Sequence, residues 1–248
     1  MRHFPCSKLI ARFVRITFLV LLVASPLLGQ NAAPKRPTSQ PYTGDLSIFE
    51  TPGRDERLQI NRVMDILGIA PGKSVADIGA GSGWFTVRAA RRVAGNGAGV
   101  NGKGANGAAA NGTAAIGTAA GVVYAVDINP EAIRYIDDRV RQESLSNVKT
   151  ILSKPDDPLL PPASVDAVLL LKTYHEISDP VALLEHLRPA LRPGARVGII
   201  DRNGNGTDHG ISSKIVIAEA EKAGYRHLET YDFVKGDKVD YFLVFAAR

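Results

Sequence analysis

Along most of this chain, short unbroken apolar runs alternate with stretches whose apolar residues recur every three or four positions. The short runs are closed by glycine, proline or an acid, which marks strands covered on both faces. They fall at 74–78, 122–127, 148–152, 165–171 and 196–200, the last ending at Asp201. The spaced stretches predict amphipathic helices. One carries Phe85, Ala89 and Val93, and a second carries Ile133, Ile136 and Val140 behind Asn129 as N-cap and Pro130 as first helical residue. A third opens at Asp179 and Pro180, carries Leu183, Leu184, Leu187 and Leu191, and ends at Arg192-Pro193-Gly194. Ahead of the first strand, a helix beginning at Thr51-Pro52 places Leu58, Val63, Ile66 and Leu67 on one side. The C-terminus predicts a helix over 212–223 with Gly224 just past its end. Strands at 227–234 and 239–245 follow, joined by Lys235-Gly236-Asp237-Lys238 as a hairpin. Such alternation implies an α/β fold: a doubly wound, seven-stranded, mostly parallel sheet with helices on both faces and an antiparallel C-terminal hairpin.

Two segments break the pattern. Arg2, Lys8, Arg12 and Arg15 precede an uncharged apolar run from Ile16 to Gly29, the layout of a secretory signal peptide. Its 14 residues span about 21 Å as helix, short for a bilayer. Residues 1–30 are therefore expected to be a signal peptide or N-terminal anchor, 31–50 a linker, and 51–248 the folded domain. Cys6 sits inside the basic region, so the chain beyond residue 30 contains no cysteine and needs no oxidative folding. The second break is 95–121, a Gly/Ala/Asn tract whose one charge is Lys103. It buries too little apolar surface to offset its ordering entropy and is expected to be a flexible insertion.

The charge balance changes once the leader is set aside. The whole chain has 30 Lys and Arg against 25 Asp and Glu, but four of the basic residues lie in the leader, leaving a net charge of +1. No basic stripe or nucleic-acid motif remains, which points away from nucleic acid and towards a small-molecule substrate. Contact with a membrane is expected only through the N-terminal segment, if it is not cleaved. By the positive-inside rule, the domain of such an anchored chain lies on the extracytoplasmic side, as it does if the segment is an export signal.

The candidate chemistry centres on Asp77-Ile78-Gly79-Ala80-Gly81-Ser82-Gly83-Trp84, a strand end, a glycine turn and a helix start. The glycines allow positive φ and remove Cβ atoms where a ligand meets the backbone. The dinucleotide fingerprint wants its third glycine one residue later, with a pyrophosphate over the helix N-terminus. A carboxylate at Asp77 would repel that pyrophosphate but favour a ligand carrying a cation. The second strand ends at Asp127, placed to accept hydrogen bonds from a ribose diol. Gly79 and Asp127 are 48 residues apart, and 21 once the inserted tract is removed, close to the roughly 20 expected of such a unit.

The glycine segment closely resembles the first motif, D/E-x-G-x-G-x-G, of class I S-adenosylmethionine-dependent methyltransferases. Leu191-Arg192-Pro193-Gly194 resembles that family's L-K-P-G-G segment, with Ala195 in place of the second glycine. The resemblance runs from about Thr51 to Arg248 and implies S-adenosyl-L-methionine as the cofactor. It places Gly79, Ala80, Gly81 and Gly83 along the methionine end, with Asp77 acting through the turn amides or an ordered water. It also puts Asp127 on the ribose, Ile128 against the adenine and Asp156 beside the adenine amine; a turn-capping role for Asp156 stands equally open. His175, in Tyr174-His175-Glu176 after the fourth strand, is the candidate base, against a loop-ordering role. His209 lies in the flexible stretch 203–210 and could reach over the site, though a solvent-exposed loop histidine is the favoured reading. His175 and Glu176 are adjacent and no second ligand stands at helical spacing, so no metal site is expected.

Three functions are compatible with these residues. The first is a methyltransferase acting by in-line displacement on a small molecule, with O, N, S and C acceptors all open. The second is a catalytically inactive S-adenosylmethionine-binding protein on the same fold, and the third is a nicotinamide-dependent enzyme. Asp77, Trp84 and the terminal hairpin weigh against the last.

Overall fold

The computed structural model describes residues 1, 36–94, 120–236 and 238–248. Residues 2–35 (which hold nearly all of the expected signal segment), most of the 95–121 tract and Asp237 lie outside the described residues. No described helix is long and apolar enough to cross a membrane.

The five expected apolar runs all become strands: β1 (Val75–Ile78), β2 (Val123–Asp127), β3 (Val148–Leu152), β4 (Val165–Leu171) and β5 (Leu191–Arg202). With β6 (Tyr225–Tyr231) and β7 (Asp240–Ala247) they form one seven-stranded sheet in the order β3-β2-β1-β4-β5-β7-β6. Pairings from β3 through β5 are parallel, whereas β7 lies antiparallel between β5 and β6.

Successive strand residues feed opposite cores, as the pleat requires. Val168 and Leu170 of β4 join Leu183, Leu184, Val216 and Phe245 on one face, while Ala167, Leu169 and Leu171 join Met64, Trp84, Phe85 and Phe242 on the other. Such burial on both sides explains why β4 is a continuous apolar run.

The helices are α1 (Arg54–Leu58), α2 (Ile60–Ile66), α3 (Trp84–Val93), α4 (Pro130–Gln142), α5 (Pro180–Leu187) and α6 (Ser213–Lys222). Asn129 caps α4 through Glu131 N–H, with Pro130 first in the helix, and Asp179 caps α5 through Ala182 N–H.

Three boundaries differ from the sequence reading. The single helix expected ahead of β1 is split at Gln59, whose φ is 47° and ψ 48°. Leu58 and Ile60 stand on different sides of an unbroken helix; the left-handed residue between them lets both enter the same core. Helix α5 stops at Leu187, and a 3-10 turn over Arg188–Ala190 follows. Pro189 supplies no N–H for continuing the helix and its ring collides with the preceding turn. Leu191 therefore joins β5, pairing with Val165, and the following register shift absorbs Pro193 and Gly194 before Arg196 meets Ala167. At the C-terminus, β6 starts two residues and ends three residues earlier than expected, with an irregularity between His227 and Glu229.

Residues 36–50, which composition assigns to a linker, are packed on the domain. Arg36 donates to the carbonyls of Tyr174 (2.8 Å) and Ile177 (3.1 Å). Its Nε also lies 2.9 Å from Glu219, an ion pair without the alignment of a hydrogen bond. A 3-10 helix over Leu46–Glu50, capped by Asp45, ends beside the glycine turn.

Candidate functional site

The sheet order reverses between β1 and β4, and open α/β sheets bind ligands at the carboxyl ends of strands beside such a switch. Three apolar strands deliver an aspartate to that edge: Asp77 near the end of β1, Asp127 closing β2 and Asp201 near the end of β5. Between β1 and β4 the chain is tightly fitted. A Cβ at Gly79 would lie 2.3 Å from the Thr173 side chain, and Thr173 Oγ1 donates to the Gly79 carbonyl at 3.3 Å.

Gly79, Gly81 and Gly83 all take left-handed φ, between 55° and 72°, which is what a turn this tight demands. The N–H groups of Gly79 and Ala80 both donate to Val126 O, at 2.8 and 3.1 Å. Gly83 N–H donates to Ala80 O at 2.8 Å, and Gly81 N–H to Asp127 Oδ2 at 2.8 Å. These amides are thus satisfied within the protein. A phosphate, which is held by free amides at a helix N-terminus, finds few donors here. A ligand that needs only bare Cα surface and a carboxylate is served.

Asp127 is held by two backbone donors, Gly81 N–H on one oxygen and Asn129 N–H (2.8 Å) on the other. Each oxygen retains a lone pair for a hydroxyl. Burial pushes this carboxyl above the usual range, and the backbone donors oppose the rise. Ile128, next in the chain, is 41% exposed, a large apolar side chain left open at the strand edge. Asp77 is 2% exposed and accepts Thr86 Oγ1 at 2.6 Å. Burial lifts its carboxyl to about 7, against the Thr86 hydrogen bond and with the help of nearby Asp127.

The 3-10 helix 46–50 covers this cradle. Phe49 stands 3.6 Å from where a Gly81 Cβ would be. Glu50 accepts Ser82 Oγ at 2.6 Å and pairs with Arg139, which also donates to Ser82 O at 3.1 Å. Arg54 donates to Phe49 O at 2.7 Å, and its guanidinium lies 4.4 Å from the Trp84 ring centre. Its role here is packing beside the cradle, while Glu56 and Arg57 face outward.

At the other end of the edge, His175 is 4% exposed in the 3-10 turn Tyr174–Glu176 after β4. Its Nδ1 lies 2.9 and 3.0 Å from the two oxygens of Asp201, which is 0% exposed. The same carboxylate accepts the backbone N–H of His175 at 3.0 Å and of Arg202 at 2.8 Å. A carboxylate so placed keeps the hydrogen on Nδ1 and leaves Nε2 as the acceptor. Glu176 Oε1 is 3.8 Å from that Nε2, and burial raises its carboxyl to about 7 against the pull of His175. His209 meets His175 edge to face, with ring centres 5.7 Å apart.

The expected residues thus fall into two groups. Asp77, Gly79, Ala80, Gly81, Gly83, Asp127 and Ile128 gather around the glycine turn, and His175 lies with Glu176 and His209 beyond β4. Asp156 stands apart: it lies exposed in the turn after β3, and its carbonyl accepts His186 Nδ1 at 2.7 Å. Among the described residues its carboxyl makes no bond to the cradle. Sequence reasoning passed over Asp201, Thr173 and Glu50. Asp201 carried a legible signal, since it ends an apolar run just as Asp127 does. Thr173 and Glu50 carried none.

A methyltransferase-domain family model matches residues 102–197, a span holding Asp127 and His175 but not the glycine turn. No curated protein matches the sequence. Among solved structures, a SAM-dependent methyltransferase from Aquifex aeolicus is 25% identical with a TM-score of 0.64, covering 82% of this chain and 98% of its own. The cyclase SpnF is similar in fold at 15% identity and TM-score 0.60, over 86% of this chain and 97% of its own. So is the methyltransferase CalH in complex with SAH, at 16% identity and TM-score 0.57, over 79% and 58%. With the strand order already described, these likenesses give the chain the class I methyltransferase fold. The cyclase shows that the fold alone does not fix the reaction, so activity has to be argued from the site.

Proposed function

We propose that this protein is an active S-adenosylmethionine-dependent methyltransferase with a small-molecule acceptor. The observation that carries the reading is the glycine turn itself. It has positive φ at three glycines, internally satisfied amides, and Asp127 held by Gly81 and Asn129 with a lone pair free on each oxygen. That cradle suits a ligand with a ribose and a cation and serves a pyrophosphate poorly. When bound, S-adenosylmethionine supplies a methyl group already activated by its sulfonium.

The chain's own residues then position and shield. Asp127 receives the ribose hydroxyls and Ile128 covers the adenine. Gly79, Ala80, Gly81 and Gly83 give the methionine end room against the backbone. Asp77 contributes negative potential from beneath the turn, and Phe49 covers Gly81. Positioning and water exclusion are the larger part of such catalysis. Where the acceptor arrives protonated, His175 Nε2, oriented by Asp201, takes the proton. Asp156 is retained as an adenine contact only if its turn moves on binding.

Export of the domain by residues 1–30 is part of the proposal, supported by the basic and apolar pattern of that segment. Binding of the cofactor followed by methylation across a panel of hydroxyl, amine and thiol acceptors tests the function. Binding without transfer to any of them would favour the inactive, ligand-binding alternative.

A further inference from the structure

We propose that His175, Glu176 and His209 form a three-ligand site for one divalent transition-metal ion of the zinc type, at the acceptor end of the strand edge. Each residue offers one ligand atom, and the three atoms lie within 4.8 Å of one another. Zinc bonds of about 2.0–2.2 Å place tetrahedral ligand atoms roughly 3.4 Å apart. His175 Nε2 and Glu176 Oε1, at 3.8 Å, already approach that spacing. Side-chain rotation of His209, which is exposed, closes the remainder.

The surroundings suit a metal better than a bare histidine pair. Asp201, fully buried, holds His175 Nδ1 at 2.9 Å and so turns the Nε2 edge of the ring towards Glu176. This carboxylate–histidine arrangement is the usual support behind a metal-bound imidazole. His209 is held in place by its backbone: its N–H donates to Ser39 Oγ at 3.0 Å, and Gly206 N–H closes the turn onto Gly210 O at 2.7 Å. It keeps a left-handed φ of 54° that an ordinary side chain disfavours, a strain of the kind retained at functional sites. Two imidazoles and one carboxylate select zinc, cobalt or similar ions over magnesium or calcium. Three protein ligands leave a coordination position for a substrate atom, the pattern of catalytic zinc.

What fills that position rests on the methyltransferase reading; the binding of the ion does not. A hydroxyl or thiol acceptor that coordinates through its oxygen or sulfur releases its proton to solvent, so His175 is not required as a base while the ion is bound.

The full chain, stripped of metal by a chelator, is titrated with Co2+ and followed by its visible absorption. One equivalent is expected to bind. Affinity falls more than about tenfold in His209→Ala and in Glu176→Gln, and by about 10–100-fold in Asp201→Asn. His209 lies on an exposed turn, so His209→Ala decides the matter even if the buried Asp201 variant does not fold. S-adenosylmethionine affinity, measured on the same variants, is expected to be unchanged in His209→Ala. Failure of the metal site and failure of the cofactor site are thereby read separately. The proposal is overturned if no Co2+ binds, or if His209→Ala and Glu176→Gln bind it as tightly as the parent chain.

Discussion

Asp77 and Asp127 are buried carboxyls at the ends of neighbouring strands, and their surroundings set opposite roles. Asp127 faces the edge with two backbone donors already fixed on it. Replacing it with alanine removes the charge-assisted bonds that the proposed site offers a ribose, and is expected to weaken S-adenosylmethionine binding by about 1–3 kcal/mol in calorimetry. Asp77 sits beneath the turn with its carboxyl raised from 3.8 to about 7 by burial. Between those two values the folded protein holds a proton that the unfolded chain has lost. Stability from this group is therefore complete at low pH, declines as pH rises through that window and is flat above it. Asp77→Asn is expected to flatten part of the decline in urea unfolding followed from pH 4 to 8. Part of the slope that remains comes from Glu176, raised from 4.5 to about 7 by burial, with Asp127 and Glu219, whose carboxyls burial also raises, adding to it. A cationic ligand favours ionised Asp77, so S-adenosylmethionine affinity should climb as pH approaches 7 in the parent chain and less so in Asp77→Asn. Most of this group of residues was legible in the sequence, because glycines and strand-ending acids mark themselves locally. Asp201 was legible in the same way but acquires its meaning only from His175, 26 residues away in the chain. His209 joins them through a loop that no spacing rule reaches.

The turn between β1 and α3 is the element on which the site depends. Gly79 has a φ of 71° and no room for a methyl group against Thr173. Gly79→Ala is expected to destabilise the protein by at least about 1–2 kcal/mol from backbone strain alone. The clash with Thr173 adds to this. Adding Thr173→Ala should recover the clash but not the strain, a partial rescue measurable by chemical unfolding. Recovery to full stability would show that the left-handed conformation is not required. Element type was readable for the seven strands and the longer helices, since burial on both faces leaves continuous apolar runs and amphipathic helices leave spaced ones. The misplaced boundaries have tertiary causes. The break at Gln59 brings Leu58 and Ile60 into one core, and the early end of α5 follows from Pro189 together with the pairing of Leu191 to Val165. Neither pairing partner is visible from the local sequence.

Across the whole molecule, the segment from Arg36 to Glu50 is packed into the domain. Arg36 joins the turn after β4 to Glu219 of α6, while Ser39 bonds to His175 O, Gly206 O and His209 N–H. Composition assigned this stretch to a linker because prolines and polar residues dominate it, yet a few hydrogen bonds to backbone groups fasten it. Arg36→Ala leaves Glu219 without its cation and is expected to cost about 1–3 kcal/mol in unfolding experiments, with faster proteolysis of the 203–210 loop. An unchanged unfolding midpoint would mean that the segment is passive. The proposed function stands on the glycine turn and Asp127 together forming an S-adenosylmethionine site. Calorimetric titration of the purified protein with S-adenosylmethionine, and separately with NAD, tests it most directly. One equivalent of S-adenosylmethionine is expected to bind at micromolar affinity, weakened in Asp127→Ala, with no heat from NAD. A folded protein that ignores S-adenosylmethionine, or binds NAD in its place, would contradict the proposed function.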